Sequence, residues 1–287
     1  MSGVTEGSGS CTCKRLSSRF VPQNAPALGS LPLRIPRTLR GRVRYRLLKL
    51  LSGVERMMRT DVDAEAERRI DAVVFDLGNV LIDWNPRHLY RKLFGNDTEG
   101  MERFLAEVCH GAWNERQDAG RTWQEGIEEA IARYPEHEEL IRAYRLRWDE
   151  MLGGPIVETV AVLDELRKTD TRLLALTNWS RETFPIALER YDFLHWFEGI
   201  VVSGEERLIK PDPAIFRLLI SRYGLDANRT VFIDDSPRNV DGARQAGLHA
   251  ILFEGADALR ASLRSVGLMI DEQPHRAQRT QSGLTRT

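Results

Sequence analysis

Four short apolar runs in this chain end at, or lead to, polar residues able to do chemistry. Ala72-Val73-Val74-Phe75 stops at Asp76, Leu173-Leu174-Ala175-Leu176 at Thr177-Asn178, and Thr230-Val231-Phe232-Ile233 at Asp234-Asp235, while Gly199-Ile200-Val201-Val202 is followed by Lys210. Carboxylates serve as nucleophiles or as ligands for hard cations, and a hydroxyl, an amide and an ammonium complete the set. Only five of the 41 basic residues are lysines, so a lysine at 210 points to a place where a compact charge is wanted. Singly, each residue has a structural use: Asp, Thr and Ser beside helices commonly cap them, and a lone Lys is usually solvated. Their order along the chain, each at a strand end, carries the reading.

The elements that must position them follow from the pattern. Runs of β-branched and aromatic residues bounded by Gly and Asn read as strands buried on both faces. Asp76 then lies at a C-terminal strand end, where open parallel sheets form their ligand crevices. Asp83-Trp84-Asn85-Pro86 turns the chain out of the sheet. Residues 87 to about 152 show helical spacing, as at Met101, Phe104, Leu105 and Val108, and no convincing strand. Leu152-Gly153-Gly154-Pro155 reads as the return linker. From there strands and helices alternate, the signature of a parallel sheet covered by helices. Helices are expected at Ile156 to Lys168, Arg181 to Glu189, Pro213 to Tyr223, Pro237 to Ala246 and Ala256 to Val266, with a last strand at His249 to Phe253. Asp212-Pro213 and Ser236-Pro237 each pair an N-cap residue with proline at the first helical position.

This ordered set resembles the motifs of the haloacid dehalogenase-like hydrolase superfamily, over roughly residues 70 to 266. The resemblance is strongest in Phe75 to Val80, Lys210-Pro211-Asp212 and Val231 to Gly247. It is closest to the subgroup with a small helical cap, which includes haloacid dehalogenases and sugar-phosphate phosphatases. The resemblance implies an α/β fold, a Rossmann-like parallel sheet with an all-helical cap inserted after the first strand. The expected boundaries are a core at 66–84 and 155–268, a cap at 85–154, a basic leader at 1–65 and a polar tail at 269–287. It also implies a magnesium-dependent phosphatase acting on a small phosphorylated metabolite, a sugar phosphate being favoured, through an aspartyl-phosphate intermediate. Asp76 would be the nucleophile, with Lys210 and Thr177 catalytic beside it. Asp76, the Gly78 carbonyl and Asp235 would hold Mg2+, with Asp234 in support, and Asn178 and Asn239 would donate to the substrate.

One position departs from the family pattern. These phosphatases usually carry a second aspartate two residues after the nucleophile, which protonates the leaving group, and here Gly78 stands in that place. Asp83, His88, His110, Glu115 and Asp118 are the candidates to replace it. Three other readings stay open: a metal-independent 2-haloacid dehalogenase, a non-catalytic phosphoacceptor or binding protein, and a scaffold with a dead site. The dehalogenases typically have a serine where this chain has Asp234-Asp235, so the acidic pair favours a metal and a phosphate. Trp113, Trp123 and Trp148 are read first as core of the cap and only second as platforms for substrate.

Composition sets the limits. The 287 residues, 42% hydrophobic and 29% charged with a net charge of −1, suit one or two globular domains. The charge is uneven: 12 Lys and Arg against 2 Asp and Glu in residues 1 to 60, and 29 against 40 afterwards. Arg42 to Leu51 could form a basic amphipathic helix suited to a membrane surface or targeting, although disorder is the simpler reading. Nothing in the acidic body suggests a nucleic-acid face. Cys11, Cys13 and Cys109 are too few for a disulfide framework, which points to a reducing, cytoplasmic setting. No run approaches the roughly 18 apolar residues of a membrane span.

Overall fold

The structure, a computed structural model, describes residues 69–270. The leader, the first residues of the expected core and all but two residues of the expected tail lie outside them. Seven strands are present among the described residues. β1 (Ala72–Phe75) is followed by β2 (Ile82–Trp84) and, after a helical insert, β3 (Leu152–Pro155). Then come β4 (Arg172–Thr177), β5 (Gly199–Val202), β6 (Thr230–Asp234) and β7 (His249–Leu252). Five of them form a parallel sheet in the order β5-β4-β1-β6-β7.

β1 has no polar face because both its faces are covered. Val73 and Phe75 belong to one apolar cluster, Ala72 and Val74 to the other, and all four are fully buried. Period-two alternation thus divides one continuous apolar run between two cores. The helices Val157–Leu166, Phe184–Arg190, Pro213–Tyr223, Pro237–Gln245 and Ala256–Ser265 follow β3 to β7 in turn. Asp212 caps its helix through its carboxylate on the Ala214 N–H, whereas Ser236 makes no side-chain cap. β1 lies between β4 and β6, so the connections diverge on either side of it and leave a crevice at its C-terminal end.

Three local expectations needed correction. Leu152–Pro155, read as a linker, is a strand pairing antiparallel with β2. Gly153 permits this, since a Cβ there would lie 2.1 Å from an Asp83 carboxylate oxygen. Glycine and proline are poor strand formers, so the pairing was hidden from propensity. The helix expected from Arg181 starts at Phe184. An unexpected one-turn helix, Ser203–Glu206, follows β5; Gly204 is required there, because a Cβ would meet the Trp179 carbonyl at 2.8 Å.

Between β2 and β3 lie the helices Arg87–Phe94, Thr98–Glu107, Gly111–Asp118, Trp123–Arg133 and Glu138–Leu146. Their shared interior is aromatic. Tyr90 packs on Phe104 with ring centroids 5.0 Å apart, and Tyr144 lies 5.2 Å from Trp113 and 5.5 Å from Trp123. Thr122 and Glu125 close a capping box at the start of Trp123–Arg133. The turn before it is fixed to the core. Ser203 donates to the Asp118 carbonyl (2.6 Å), Trp123 Nε1 to Ser180 Oγ (3.0 Å) and the Trp123 N–H to Glu182 (3.0 Å).

Candidate active site

Asp76 follows the last residue of β1, and its N–H donates to the Ile233 carbonyl of β6, which keeps it at the sheet's C-terminal edge. Its carboxylate accepts from the Leu77 N–H and lies 3.0 Å from Lys210 Nζ. Lys210 is buried, and its ammonium also donates to Asp234 (2.6 Å) and to the Leu176 carbonyl (3.0 Å), with the Phe232 ring 5.4 Å away. Burial opposes the ammonium, but Asp76 and Asp234 hold it above the usual lysine value. Burial pushes the Asp76 carboxyl up to about 8; Lys210 pulls against this, while Asp234 and Asp235 add to it.

The acidic pair divides its work by exposure. Asp234 is fully buried and saturated, its Oδ1 accepting from the Ser236 N–H and Asn239 Nδ2 and its Oδ2 from Lys210. Asp235 is exposed at the crevice, and partial loss of water around its carboxyl, with the Asp234 charge beside it, raises its pKa. Asp76, Asp234 and Asp235 bring carboxylate oxygens within 4.8 Å of one another. Three carboxylates against one ammonium leave excess negative charge, and the donors are all hard oxygens. A divalent cation such as magnesium fits this set, with Asp76 and Asp235 as the carboxylates best placed to hold it.

Asn178 and Asn239, expected as donors to the substrate, are bonded within the protein. Asn178 accepts from the Lys210 N–H (2.9 Å) and donates to the Lys210 carbonyl (3.1 Å), pinning the loop that delivers the lysine. Asn239 orients Asp234, and among the described residues its buried Oδ1 has no partner. Thr177, the last residue of β4, is buried at the crevice.

Beside this centre is a recess of about 70 Å³. Gly78 and Asn178 border it on the side of the strand ends, and Trp84, Trp148, Trp179, Thr183, Asn114 and Asp118 line the rest. Trp148 and Trp179 pack at a tilt of 53° with centroids 5.4 Å apart, and both are buried. Of the three tryptophans singled out in the sequence, Trp113 and Trp123 join the cap interior and Trp148 reaches the recess. Trp84 and Trp179 were missed. The signal was available for Trp179, which directly follows the Thr177-Asn178 strand end.

Fold and site together define an α/β enzyme with a carboxylate centre at a topological switch point. The chain belongs to the haloacid dehalogenase-like hydrolases, whose family model matches residues 70–247. It is therefore a hydrolase. It is 28% identical over 205 residues to human N-acylneuraminate-9-phosphatase, covering 64% of this chain and 82% of that one. It is also 24% identical to the drimenol cyclase drtB of Aspergillus calidoustus, covering 69% of this chain but only 36% of that one. Among solved structures, a HAD-like family hydrolase from Porphyromonas gingivalis superposes with a TM-score of 0.53 at 24% identity, over 70% of this chain and 99% of that one. Among the described residues no helix is long and apolar enough to cross a membrane.

Proposed function

We propose that this chain is a magnesium-dependent phosphatase acting on a small phosphorylated metabolite, a sugar phosphate in preference, through an aspartyl-phosphate intermediate. The observation that carries this reading is the cluster of Asp76, Asp234 and Asp235 around the single buried ammonium of Lys210. The similarity to human N-acylneuraminate-9-phosphatase supports it. Asp76 attacks phosphorus and releases the leaving group, and water then cleaves the acyl phosphate, so that one hard displacement becomes two easier ones. Lys210 is held by Asn178, Asp234 and the Leu176 carbonyl, so its charge is in place before substrate arrives and needs no reorganisation during reaction. Asn239 and the Ser236 N–H fix Asp234 as the counter-charge that keeps the lysine protonated. Magnesium held by Asp76, the Gly78 carbonyl and Asp235 would supply the positive charge that lets an anionic carboxylate approach an anionic phosphate.

The test is phosphate release from p-nitrophenyl phosphate by the full chain, with magnesium and with chelator, beside Asp76→Asn. Turnover that needs magnesium and disappears in Asp76→Asn is the expected result. A folded, magnesium-supplied protein that releases no phosphate, but does release halide from 2-haloacids, would reverse the reading.

A further inference from the structure

If this is a phosphatase, the glycine at position 78 leaves the leaving-group oxygen without its usual proton donor. The five acid candidates separate once their partners are known. Asp83 of β2 and His88 of the helix Arg87–Phe94 bond each other at 2.9 Å. The His110 ring accepts the Trp113 N–H as a helix cap. Glu115 is paired with Arg238. Asp118 alone of the five lines the recess, together with Gly78 and Asn178.

We propose that Asp118, carried by the cap, is the general acid and base of the reaction, acting across the recess in place of a carboxyl at position 78. The turn that holds it is anchored to the strand ends by Ser203 on its own carbonyl and by Ser180 and Glu182 on Trp123. Its carboxylate accepts from Asn114 Nδ2 (2.9 Å), and among the described residues it forms no ion pair. The charged and titratable groups around it are Glu115 of its own helix, with Arg238 on Glu115, and Tyr144 of the helix Glu138–Leu146. Trp84, Trp148 and Trp179 give the recess aromatic walls beside it. Burial first, and Glu115 second, push the Asp118 carboxyl up to about 7 against the Ser180 N–H, so the protonated form is available near neutrality. Position 78 is empty in the complementary sense: a Cβ there would meet nothing within 4 Å.

In the first step the Asp76 oxygen-to-phosphorus bond forms and the ester phosphorus-to-oxygen bond breaks. The leaving oxygen takes the bond pair and the Asp118 proton, which gives an alcohol and leaves Asp118 ionised. In the second step water attacks phosphorus, Asp118 takes one water proton, and phosphate leaves with Asp76 restored as carboxylate.

The test compares phenyl phosphate with p-nitrophenyl phosphate, which share a ring but differ in how well the leaving oxygen bears charge. Asp118→Asn keeps the shape of the side chain. Its kcat on phenyl phosphate should fall about 10²- to 10⁴-fold, while p-nitrophenyl phosphate turnover falls by less than about tenfold and so reports that the variant is folded. Gly78→Asp added to Asp118→Asn should restore much of the phenyl phosphate rate. Equal losses on both esters, or no loss on either, would overturn the assignment of Asp118 and leave the phosphatase reading standing. Absence of turnover on both esters by the unaltered chain would overturn the two together.

Discussion

The strand-end centre and the tryptophan recess meet at Gly78 and Asn178, yet they are built in opposite ways. The centre takes its groups from loops at the ends of β1, β4 and β6 and from Lys210 after β5, all set by one sheet. Its members are ionised or bonded to ionised groups, and each holds another in place. The recess takes its lining from five separate places, namely the loop after β1, β2, the helix Gly111–Asp118, the turn at Trp148 and the loop after β4. It is walled by aromatics and holds one carboxyl without a cation. A charged network tolerates no missing member, because a lone buried charge is expensive, whereas an aromatic wall can lose a panel and keep its shape. The centre is thus suited to the chemistry common to phosphate esters, and the recess to the part of the substrate that differs between them.

The largest effect should come from breaking the charged side. Lys210→Met leaves Asp76 and Asp234 buried without their ammonium, and such losses cost about 3–5 kcal/mol. Denaturant melts should show a destabilisation of that order together with loss of phosphate release, and Lys210→Arg should not rescue activity, since a planar fork cannot occupy a point site bonded to three oxygens. A stable Lys210→Met protein would remove the contrast between the two regions. A smaller effect is expected on the aromatic side. Trp84→Ala should raise KM for a bulky ester about tenfold, or about 1.4 kcal/mol, and leave product inhibition by inorganic phosphate unchanged; a matching rise in the phosphate inhibition constant would mean that the two regions are not separable.

The smallest effect concerns pH. Asp118 is protonated in the fold up to about 7, whereas an ordinary aspartyl carboxyl ionises near 3.8. The folded chain therefore binds more protons than the unfolded one in that interval. The contribution to stability is present at low pH and is lost as pH rises through about 7. Asp118→Asn should flatten this part of the stability profile between pH 5 and pH 8. A profile that keeps its slope would assign the dependence to another group.

The strand ends were legible because a strand buried on both faces must be apolar throughout, so the residue that breaks the run announces itself. Asp76, Thr177 and Asp234 could be read this way, and Lys210 stood out through the scarcity of lysine. What Asn178 and Asn239 bond to was not legible, since an amide serves a substrate or a loop equally well and only proximity decides. Trp84 carried no local signal, and Asp118 stood only as one of five candidate acids, because the two lie 34 residues apart, on β2 and a cap helix.

By itself the sequence determined the apolar runs, their alternation with helices and the order of the chemical groups, because these follow from periodicity within a few residues. Tertiary structure alone decided which carboxylates share one ammonium and which tryptophans close a recess. It also decided that, of five possible acids, only Asp118 lines the recess. Those outcomes depend on distances across the fold, and burial changes the charge of a carboxyl only after the chain has brought its neighbours together.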